Sequence, residues 1–478
     1  MNRFLSIIAV SFALVLSSCN DWLDVDLDNK VDDNKLFGSA EGFQEALAGV
    51  YSEMSKANMY GQALSMEFPD LLAQYYSYNS VSNTYVYWKD FDYTNSGVAS
   101  TQSGMWTRLY HNIGQVNCIL EWADKNASVM TEAQHDQVRG EALALRAYMH
   151  FDLYRLFSPD VKISPKADGI PYNKRFGVSL PAMYSAEETV QLVINDLLEA
   201  EKCLADDPIT SVVPYEITSD DDLGSAKDAA DKYVARMNLY AVKAMLARAY
   251  QARGDYRKAI EKAREVIDSG KFRLLDFGSI DKGEASVDIL FSDEHIFSLR
   301  NRDMRTISQN LHYNKVSSGV TSFAPLPFNS ISSVYESNND DVRYAKWFDL
   351  GNFVKFIPDS TNVFTQKMPM IKLSEMYLLA AECSYASSPS DALDYVNTLR
   401  DHRIRNNRHW NSVTLDYIIQ EMRREYVGEG QLWYVYKRNN LTIPGSGSME
   451  GDVQPSDDIF VFPMPDSEIS TGHRDQRD

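Results

Sequence analysis

The chain has 478 residues and is strongly acidic, with 67 Asp and Glu residues against 47 Lys and Arg residues and a formal charge of −20 at pH 7. This charge balance repels phosphate backbones, so it argues against nucleic-acid binding. The four cysteines include no Cys-x-x-Cys pair, which leaves a redox motif or a cysteine metal site without support.

The N-terminal segment has the layout of a secretory signal. A basic residue, Arg3, precedes an uncharged apolar run from Phe4 to Leu16. This run is shorter than the roughly 20 residues that a membrane-spanning helix needs. The next motif, LSSC, resembles a bacterial lipobox and ends at Cys19. We therefore predict that residues 1–18 are a lipoprotein signal peptide and that Cys19 is lipidated, with an ordinary signal peptide as the alternative.

Residues 19–38 follow as the lipidated cysteine and an acidic tether. Asp24, Asp26 and Asp28 superficially match a calcium-binding loop. However, Asn29 stands where that loop needs Gly, and Lys35 stands where a Glu should bind the ion. We interpret the segment as a solvated linker, and we predict a single domain over residues 39–478.

Helical periodicity begins directly after the tether. Residues 39–54 place Phe43, Leu47, Val50 and Met54 three and four positions apart. Ser39 is a candidate N-cap for this helix, because a Ser side chain accepts a hydrogen bond from a free amide of the first turn.

Residues 74–93 contain eight aromatic side chains among Asn, Ser, Thr and Asp residues. A sugar ring has an apolar C–H face and a polar hydroxyl edge, so this composition suits carbohydrate binding. The alternating TYVYW motif predicts a strand with Tyr85 and Tyr87 on one face and Val86 and Trp88 on the other. Core packing remains the alternative for each single ring. The ligand-binding candidates in this segment are Tyr75, Tyr76, Tyr78, Tyr85, Tyr87 and Trp88.

Four further segments are predicted to be helical. Residues 139–157 and 189–204 each carry one apolar stripe. Residues 243–268 and 374–403 each read as a helix pair with small and aromatic residues at the spacing of a tetratricopeptide repeat. The sequence therefore predicts a mainly α fold, with tetratricopeptide-type helix pairs as the scaffold and few short strands.

Residues 272–365 interrupt this scaffold with many Gly, Pro, Asn and Ser residues. An irregular insert of this length in a helical protein is usually functional. Its aromatic residues give further ligand-binding candidates, of which Tyr313 and Trp347 stand with those of 74–93. Phe323 and Phe348 are weaker candidates, and Arg343 is interpreted as structural.

Together these segments resemble the SusD/RagB family of outer-membrane lipoproteins of Bacteroidetes. The resemblance spans nearly the whole mature chain. It rests on CNDWLD (19–24), GFQEALAGVYSEM, RGEALALRAYMHFDLYRLF followed by GIPY (169–172), DDVR (340–343), IKLSEMYLLAAECSY, ALDYVNTLRDHR, EMRREYVGEGQLWYVYKRNN and VFPMPDSEIS. Two short stretches depart from the family pattern, residues 434–436 and 470–472, and both are interpreted as structural.

The resemblance implies a SusD-like fold, a lipid anchor in the outer membrane with the protein facing the cell exterior, and a partner TonB-dependent transporter of the SusC type. It also implies capture of an oligomeric nutrient, most often a glycan, without a cofactor. A peptide ligand, as some relatives are thought to carry, is the main alternative.

Catalytic motifs are missing from the sequence. There is no H-E-x-x-H, G-x-S-x-G, P-loop or G-x-G-x-x-G motif. Carboxylates are abundant, so counting them does not exclude a tethered glycoside hydrolase, but their clusters lie in polar, turn-like stretches. A pure repeat scaffold for protein assembly would explain the helices but leave the aromatic segment and the insert unexplained. We therefore predict a binding protein with no catalytic or metal-binding residues.

Overall fold

The computed structural model of the chain describes residues 33–76, 83–177, 180–217, 226–280, 288–313, 315–317, 320–322, 326–328, 331–357, 366–445 and 451–472. The predicted signal peptide, Cys19 and Tyr78 lie outside these residues, as does Phe323. The predictions made for them therefore remain predictions.

Most of the described residues are helical, which confirms the mainly α prediction. In the first half the helices are Asp33–Leu36 (α1), Ala40–Met54 (α2), Phe68–Leu72 (α3), Asn83–Lys89 (α4), Ser96–Lys125 (α5), Glu132–Phe157 (α6), Ala186–Cys203 (α7) and Ala226–Val234 (α8), with a π-helix at Ala63–Glu67. In the second half they are Leu239–Arg253 (α9), Tyr256–Ile267 (α10), Phe277–Ile280 (α11), Met304–His312 (α12), Ile331–Val334 (α13), Val342–Trp347 (α14), Leu373–Ser384 (α15), Pro389–Asp401 (α16), Leu415–Glu425 (α17), Leu432–Asn439 (α18), Asp457–Phe460 (α19) and Asp466–Thr471 (α20).

The described strands are short and form antiparallel pairs. They are Asp168–Pro171 (β1), Met183–Ser185 (β2), His295–Arg300 (β3), Lys315–Ser317 (β4), Val320–Ser322 (β5), Phe348–Asp349 (β6), Asn352–Phe353 (β7) and Lys367–Lys372 (β8). The pairs are β1–β2, β3–β8, β4–β5 and β6–β7. Pairing of β3 with β8 closes the part of the irregular insert that lies between them into a loop beside the helical scaffold.

Helix α2 forms as its sequence pattern predicts. The Ser39 hydroxyl accepts a hydrogen bond from the Gly42 amide at 3.3 Å, which caps the first turn. Phe43, Leu47 and Val50 are buried on the stripe that faces the core. Local sequence therefore determines both the start of α2 and its orientation.

Helix α6 lies at the centre of the N-terminal half, packed between α5 and α7. Nearly every residue from Val138 to Phe157 is buried. A polar group on such a helix needs a partner, and Arg146 donates two hydrogen bonds to the buried Asp196 carboxylate of α7 at 2.7 and 2.9 Å. This ion pair fixes α6 against α7.

The two predicted helix pairs are present. Helices α9 and α10 are joined at Gly254, whose φ of +83° gives the left-handed C-cap that glycine adopts readily. Helix α15 packs against α10 and pairs with α16. Buried alanines such as Ala247 and Ala259 allow the close approach of helices that the repeat pattern predicts.

A buried ion network connects the insert to the C-terminal helices. Its cations are Arg343, Lys355, Lys372, Arg400, Arg403 and Arg424, and its anions are Glu294, Asp341, Glu421, Glu425 and Glu429. Arg343 bonds to carboxylates from both regions, at 2.7 Å to Asp341 and 2.6 Å to Glu421. These contacts confirm the structural role predicted for Arg343.

The network makes stability depend on pH through Glu421. Burial raises the pKa of Glu421, but three neighbouring arginine side chains lower it to about 2. Arg343 has the largest lowering effect, followed by Arg424 and Arg400. Because the folded-state pKa lies below the unfolded value, the stabilisation is complete above about pH 5 and is lost as the pH falls towards 2.

We expect the ionisation of Glu421 to account for a loss of about 3 kcal/mol of unfolding free energy between about pH 5 and pH 2. Urea unfolding at a series of pH values measures this slope. The Glu421→Gln variant should be less stable at neutral pH and should lose less stability on acidification. Equal pH slopes for the variant and the wild type would contradict the assignment.

Candidate functional site

The segment 74–93 differs from its predicted conformation. Its TYVYW motif lies in helix α4 (Asn83–Lys89), so the predicted strand is wrong. In a helix, positions three apart share a side and positions two apart do not. Accordingly, Trp88 is buried and Tyr85 is half-buried, whereas Tyr87 is 40% exposed. The expected division into Tyr85/Tyr87 and Val86/Trp88 faces is therefore also wrong.

Tyr75 and Tyr76 lie in the core. The Tyr75 hydroxyl donates a hydrogen bond of 2.6 Å to the main-chain carbonyl of Arg423, and the Tyr76 hydroxyl donates one to that of Met66. Trp88 is also buried, and its ring lies 4.3 Å from that of Phe68. The burial of these three rings corrects the prediction of direct ligand contact and favours the alternative of core packing.

Two of the predicted ligand-binding candidates in the described part of this segment, Tyr85 and Tyr87, reach the surface. The Tyr85 hydroxyl donates a hydrogen bond of 2.6 Å to the Glu67 carboxylate, at the end of the π-helix. Burial raises the pKa of Glu67, and the hydrogen bonds from Tyr85 and Gln62 oppose that shift. Tyr85 is therefore held in place, whereas Tyr87 projects outward.

The insert candidates also divide into core and surface. Trp347 is buried, and its Nε1 donates a hydrogen bond of 2.7 Å to the Ile289 carbonyl. The Lys355 ammonium lies 3.9 Å from the centre of the Trp347 ring, so this ring packs inside the protein. The prediction that Trp347 contacts the ligand is therefore corrected, because this ring is buried in the core as Trp88 is. Tyr313, directly after α12, is half-buried and remains a candidate.

The insert forms a concave surface that we call the aromatic cleft. The cleft has a volume of about 560 Å³. Its lining residues are Phe328, Ile331, Ser332, Asn339, Tyr344, Ala345, Phe348, Leu350 and Gly351. Three of them are aromatic and two are uncharged polar residues, which is the composition of a small-molecule pocket that holds an apolar face and orients a polar edge.

The aromatic cleft and the segment 74–93 are in contact. Tyr76 and Phe328 pair through a single β-bridge, and their rings lie 4.7 Å apart, edge to face. The centre of the Tyr75 ring lies 6.2 Å from that of Phe328. The two regions that sequence reasoning selected separately therefore meet, with Tyr75 and Tyr76 beneath the cleft rather than in it.

The base of the cleft is held rigidly. The buried Tyr335 stacks on Tyr344 with ring centres 5.6 Å apart, and its hydroxyl donates a hydrogen bond of 2.8 Å to the Arg424 carbonyl. Phe348 contacts Phe328 at 5.4 Å. Rings fixed by packing and by hydrogen bonds to the C-terminal helix α17 lose little freedom when a ligand binds.

Among the cleft residues, only Phe348 was predicted from the sequence as a ligand-binding candidate. Tyr344 directly follows the DDVR motif, and Phe328 follows a stretch with two prolines, Pro325 and Pro327. The local signal that could have found the cleft is the FDLGNF motif, in which aromatic residues flank a turn ending in Gly.

Two other cavities are less suitable for a sugar ring. A depression of about 850 Å³ at the end of α2 is lined by Lys56, Arg300 and Arg302, and its single aromatic residue, Tyr51, is tied by its hydroxyl to Glu141 at 2.9 Å. An interior cavity of about 50 Å³ beside the Arg248–Glu375 ion pair has room for little more than water.

Within the described ranges, no group of three or more His, Cys, Asp and Glu side chains is arranged to hold a metal ion. In the same part of the chain, no helix combines the length and apolar character needed to span a membrane.

Two protein-family models match the chain. One, described as starch-binding associating with outer membrane, matches residues 21–239, and the other, described as the SusD family, matches residues 303–472. Among curated proteins, SusD-like protein P38 of Formosa agariphila is 22% identical over 519 residues, covering 94% of this chain and 93% of the relative.

Solved structures share the fold. A SusD superfamily protein from Bacteroides thetaiotaomicron aligns with a TM-score of 0.70 at 21% identity, covering 91% of this chain and 98% of that one. A putative sugar binding protein from Bacteroides vulgatus aligns with a TM-score of 0.70 at 21% identity, covering 90% of this chain and 96% of that one. Surface glycan-binding protein A from Bacteroides thetaiotaomicron, in complex with laminarihexaose, aligns with a TM-score of 0.66 at 18% identity. The alignment covers 91% of this chain and 99% of that one.

Proposed function

The chain belongs to the SusD/RagB family, and from this premise we propose that it is a surface glycan-binding protein that captures an oligosaccharide in the aromatic cleft. The observation that carries the proposal is the cleft itself, where half-buried rings and uncharged polar groups line one concave surface.

The chemistry of the cleft matches that of a sugar. Tyr344 and Phe348 offer flat apolar area against which the C–H face of a pyranose ring can pack, and each contact stabilises the complex through the apolar area that it buries. Ser332 and Asn339 supply donors and acceptors for the hydroxyl edge. Several such contacts along a glycan would add up to useful affinity without a deep pocket.

The wider role follows from the anchor and the family. A lipidated Cys19 would hold the protein on the outer membrane, facing the exterior. The captured glycan would then pass to a SusC-like TonB-dependent transporter, with no covalent chemistry by this chain. Expression of the Cys19→Ala variant followed by membrane fractionation tests the anchor, since we expect the variant to leave the membrane fraction. Unchanged membrane retention would contradict lipidation at Cys19.

Calorimetric titration of the purified protein against plant, host and microbial glycans tests the binding proposal. We expect the Tyr344→Ala variant to bind at least about tenfold more weakly than the wild type, because it loses one stacking ring and its hydroxyl. Tyr256→Ala, which removes a surface tyrosine from helix α10 that does not line the cleft, is the control and should bind normally.

A second variant separates the cleft from helix α4. If Tyr87→Ala abolishes binding while Tyr344→Ala leaves it intact, the site lies at α4 and the cleft assignment is wrong. Release of new reducing ends from any glycan would show a glycoside hydrolase instead. Binding to a peptide library with no response to the glycan panel would favour the peptide alternative.

A further inference from the structure

The hairpin β6–β7 presents a leucine in an unusual conformation. Asp349 pairs with Asn352, so Leu350 and Gly351 are the two central residues of the turn. Both have positive φ, +47° and +82°. This is the pattern of a type I′ turn, which strongly favours Asn or Gly at its first central position because other side chains crowd the main chain there.

Solvent exposure makes the leucine doubly unfavourable. Leu350 is 97% exposed, more than any other large apolar side chain in the described part of the chain. A Leu at this position therefore gains nothing from burial within the chain while its backbone is strained. Strained and exposed residues of this kind persist where they serve a function outside the fold.

The base of the hairpin holds Leu350 in a fixed position. Phe353 is buried, with its ring 4.6 Å from Phe328, and the Val354 amide donates a hydrogen bond of 2.8 Å to the Trp347 carbonyl. The tip of the hairpin, Leu350 and Gly351, lines the aromatic cleft. The leucine is therefore held at the rim of the candidate site rather than on a distant surface.

Among the residues that the structure describes, the lining of the cleft carries no charged side chain. The exposed charged residues of segment 331–351 are Glu336, Asp340 and Asp349 against Lys346, and Glu336 is paired with Arg424. Asp341 and Arg343 of the same segment are buried and bonded to each other. The described lining therefore offers no cation to neutralise a carboxylate or a sulfate, and the exposed Asp340 and Asp349 would repel one. The electrostatics thus favour an uncharged ligand.

We infer that Leu350 is a specificity-determining residue of the cleft, and that it packs against the apolar face of an uncharged sugar unit. This inference rests on the proposed function and narrows its ligand to neutral oligosaccharides. The strain at Leu350 is retained because binding buries the side chain.

The Leu350→Asn variant tests the inference, because it should raise the stability of the protein and lower its affinity for the glycan. Asn suits the turn, so we expect the melting temperature to rise by a few degrees. Loss of the apolar contact should weaken binding by about tenfold. Leu180→Asn replaces another exposed leucine that does not line the cleft, and its affinity should equal that of the wild type.

The probes are laminarin, amylopectin and galactomannan as neutral polymers, and alginate and polygalacturonate as acidic ones. Affinity electrophoresis ranks them and calorimetry gives the binding constants. Weaker binding of a neutral polymer by a more stable Leu350→Asn variant supports the inference. Unchanged affinity in that variant overturns it, as does preferential binding of an acidic polymer. A wild-type protein that binds none of the probes overturns the proposed function itself, together with the inference.

Discussion

Replacing Glu425 with glutamine is expected to lower the free energy of unfolding by about 3–5 kcal/mol, the largest effect of any single substitution considered. The carboxylate of Glu425 is buried and accepts hydrogen bonds from Arg343, Arg403 and Lys372 at 2.9–3.0 Å. Burial raises the pKa of Glu425, but Arg403, Lys372 and Arg343 lower it well below its ordinary value. The neutral amide would leave these buried cations without their shared counter-charge.

Denaturant unfolding of the wild type and of the Glu425→Gln variant at neutral pH measures this loss of stability. Glu121→Gln provides the matched control, because Glu121 forms an exposed pair with Lys125 at 2.6 Å. Such surface pairs contribute at most about 1 kcal/mol. A Glu425→Gln variant that is as stable as this control would show that the network is not held by the Glu425 charge.

The Gly430→Ala variant is expected to lose at least about 2 kcal/mol of stability, from left-handed backbone strain together with a steric clash. Gly430 has a φ of +69°, and a Cβ added there would lie 2.5 Å from the main-chain oxygen of Ser65. Its amide also donates a hydrogen bond of 3.0 Å to the buried carboxylate of Asp70. Relief of the clash would separate the loop of Gly430 from Ser65 and weaken that bond.

Gly270→Ala separates the clash from the backbone strain. Gly270 has a similar φ of +66°, but a Cβ there would meet no atom within 4 Å. This control should lose only about 1 kcal/mol. Thermal unfolding of the three proteins gives the comparison, and equal losses in the two variants would remove the steric argument for Gly430.

The helical scaffold could be predicted because its signals are local. Ser39 caps α2 through a residue three positions away, and the stripe of Phe43, Leu47 and Val50 repeats within two turns of helix. Gly254 ends α9 through its own backbone preference. Each signal depends only on residues that are close in the sequence, so the helices could be predicted without knowledge of the tertiary structure.

The aromatic segment shows where local signals fail. Over a stretch as short as TYVYW, an alternating pattern cannot distinguish a strand from a helix. In the folded protein the segment is a helix, and its Trp88 ring packs against Phe68. Polar neighbours were also misleading as evidence of exposure. Gln74 is buried, and its Nε2 donates a hydrogen bond of 3.4 Å to the Lys89 carbonyl. A buried amide is tolerated when the backbone satisfies it.

By itself the sequence determined the mainly α class, the paired helices, the position of the insert and the family, because these depend on periodicity and on ordered motifs. Only the tertiary structure decided which rings reach the surface. Tyr75 is far from Phe328 and Tyr344 along the chain. Its place beneath the cleft that they line depends on the long-range packing of the insert and of Tyr75 against α17. Burial is a property of that packing and not of the residue type, so no pattern of aromatic residues alone could assign it.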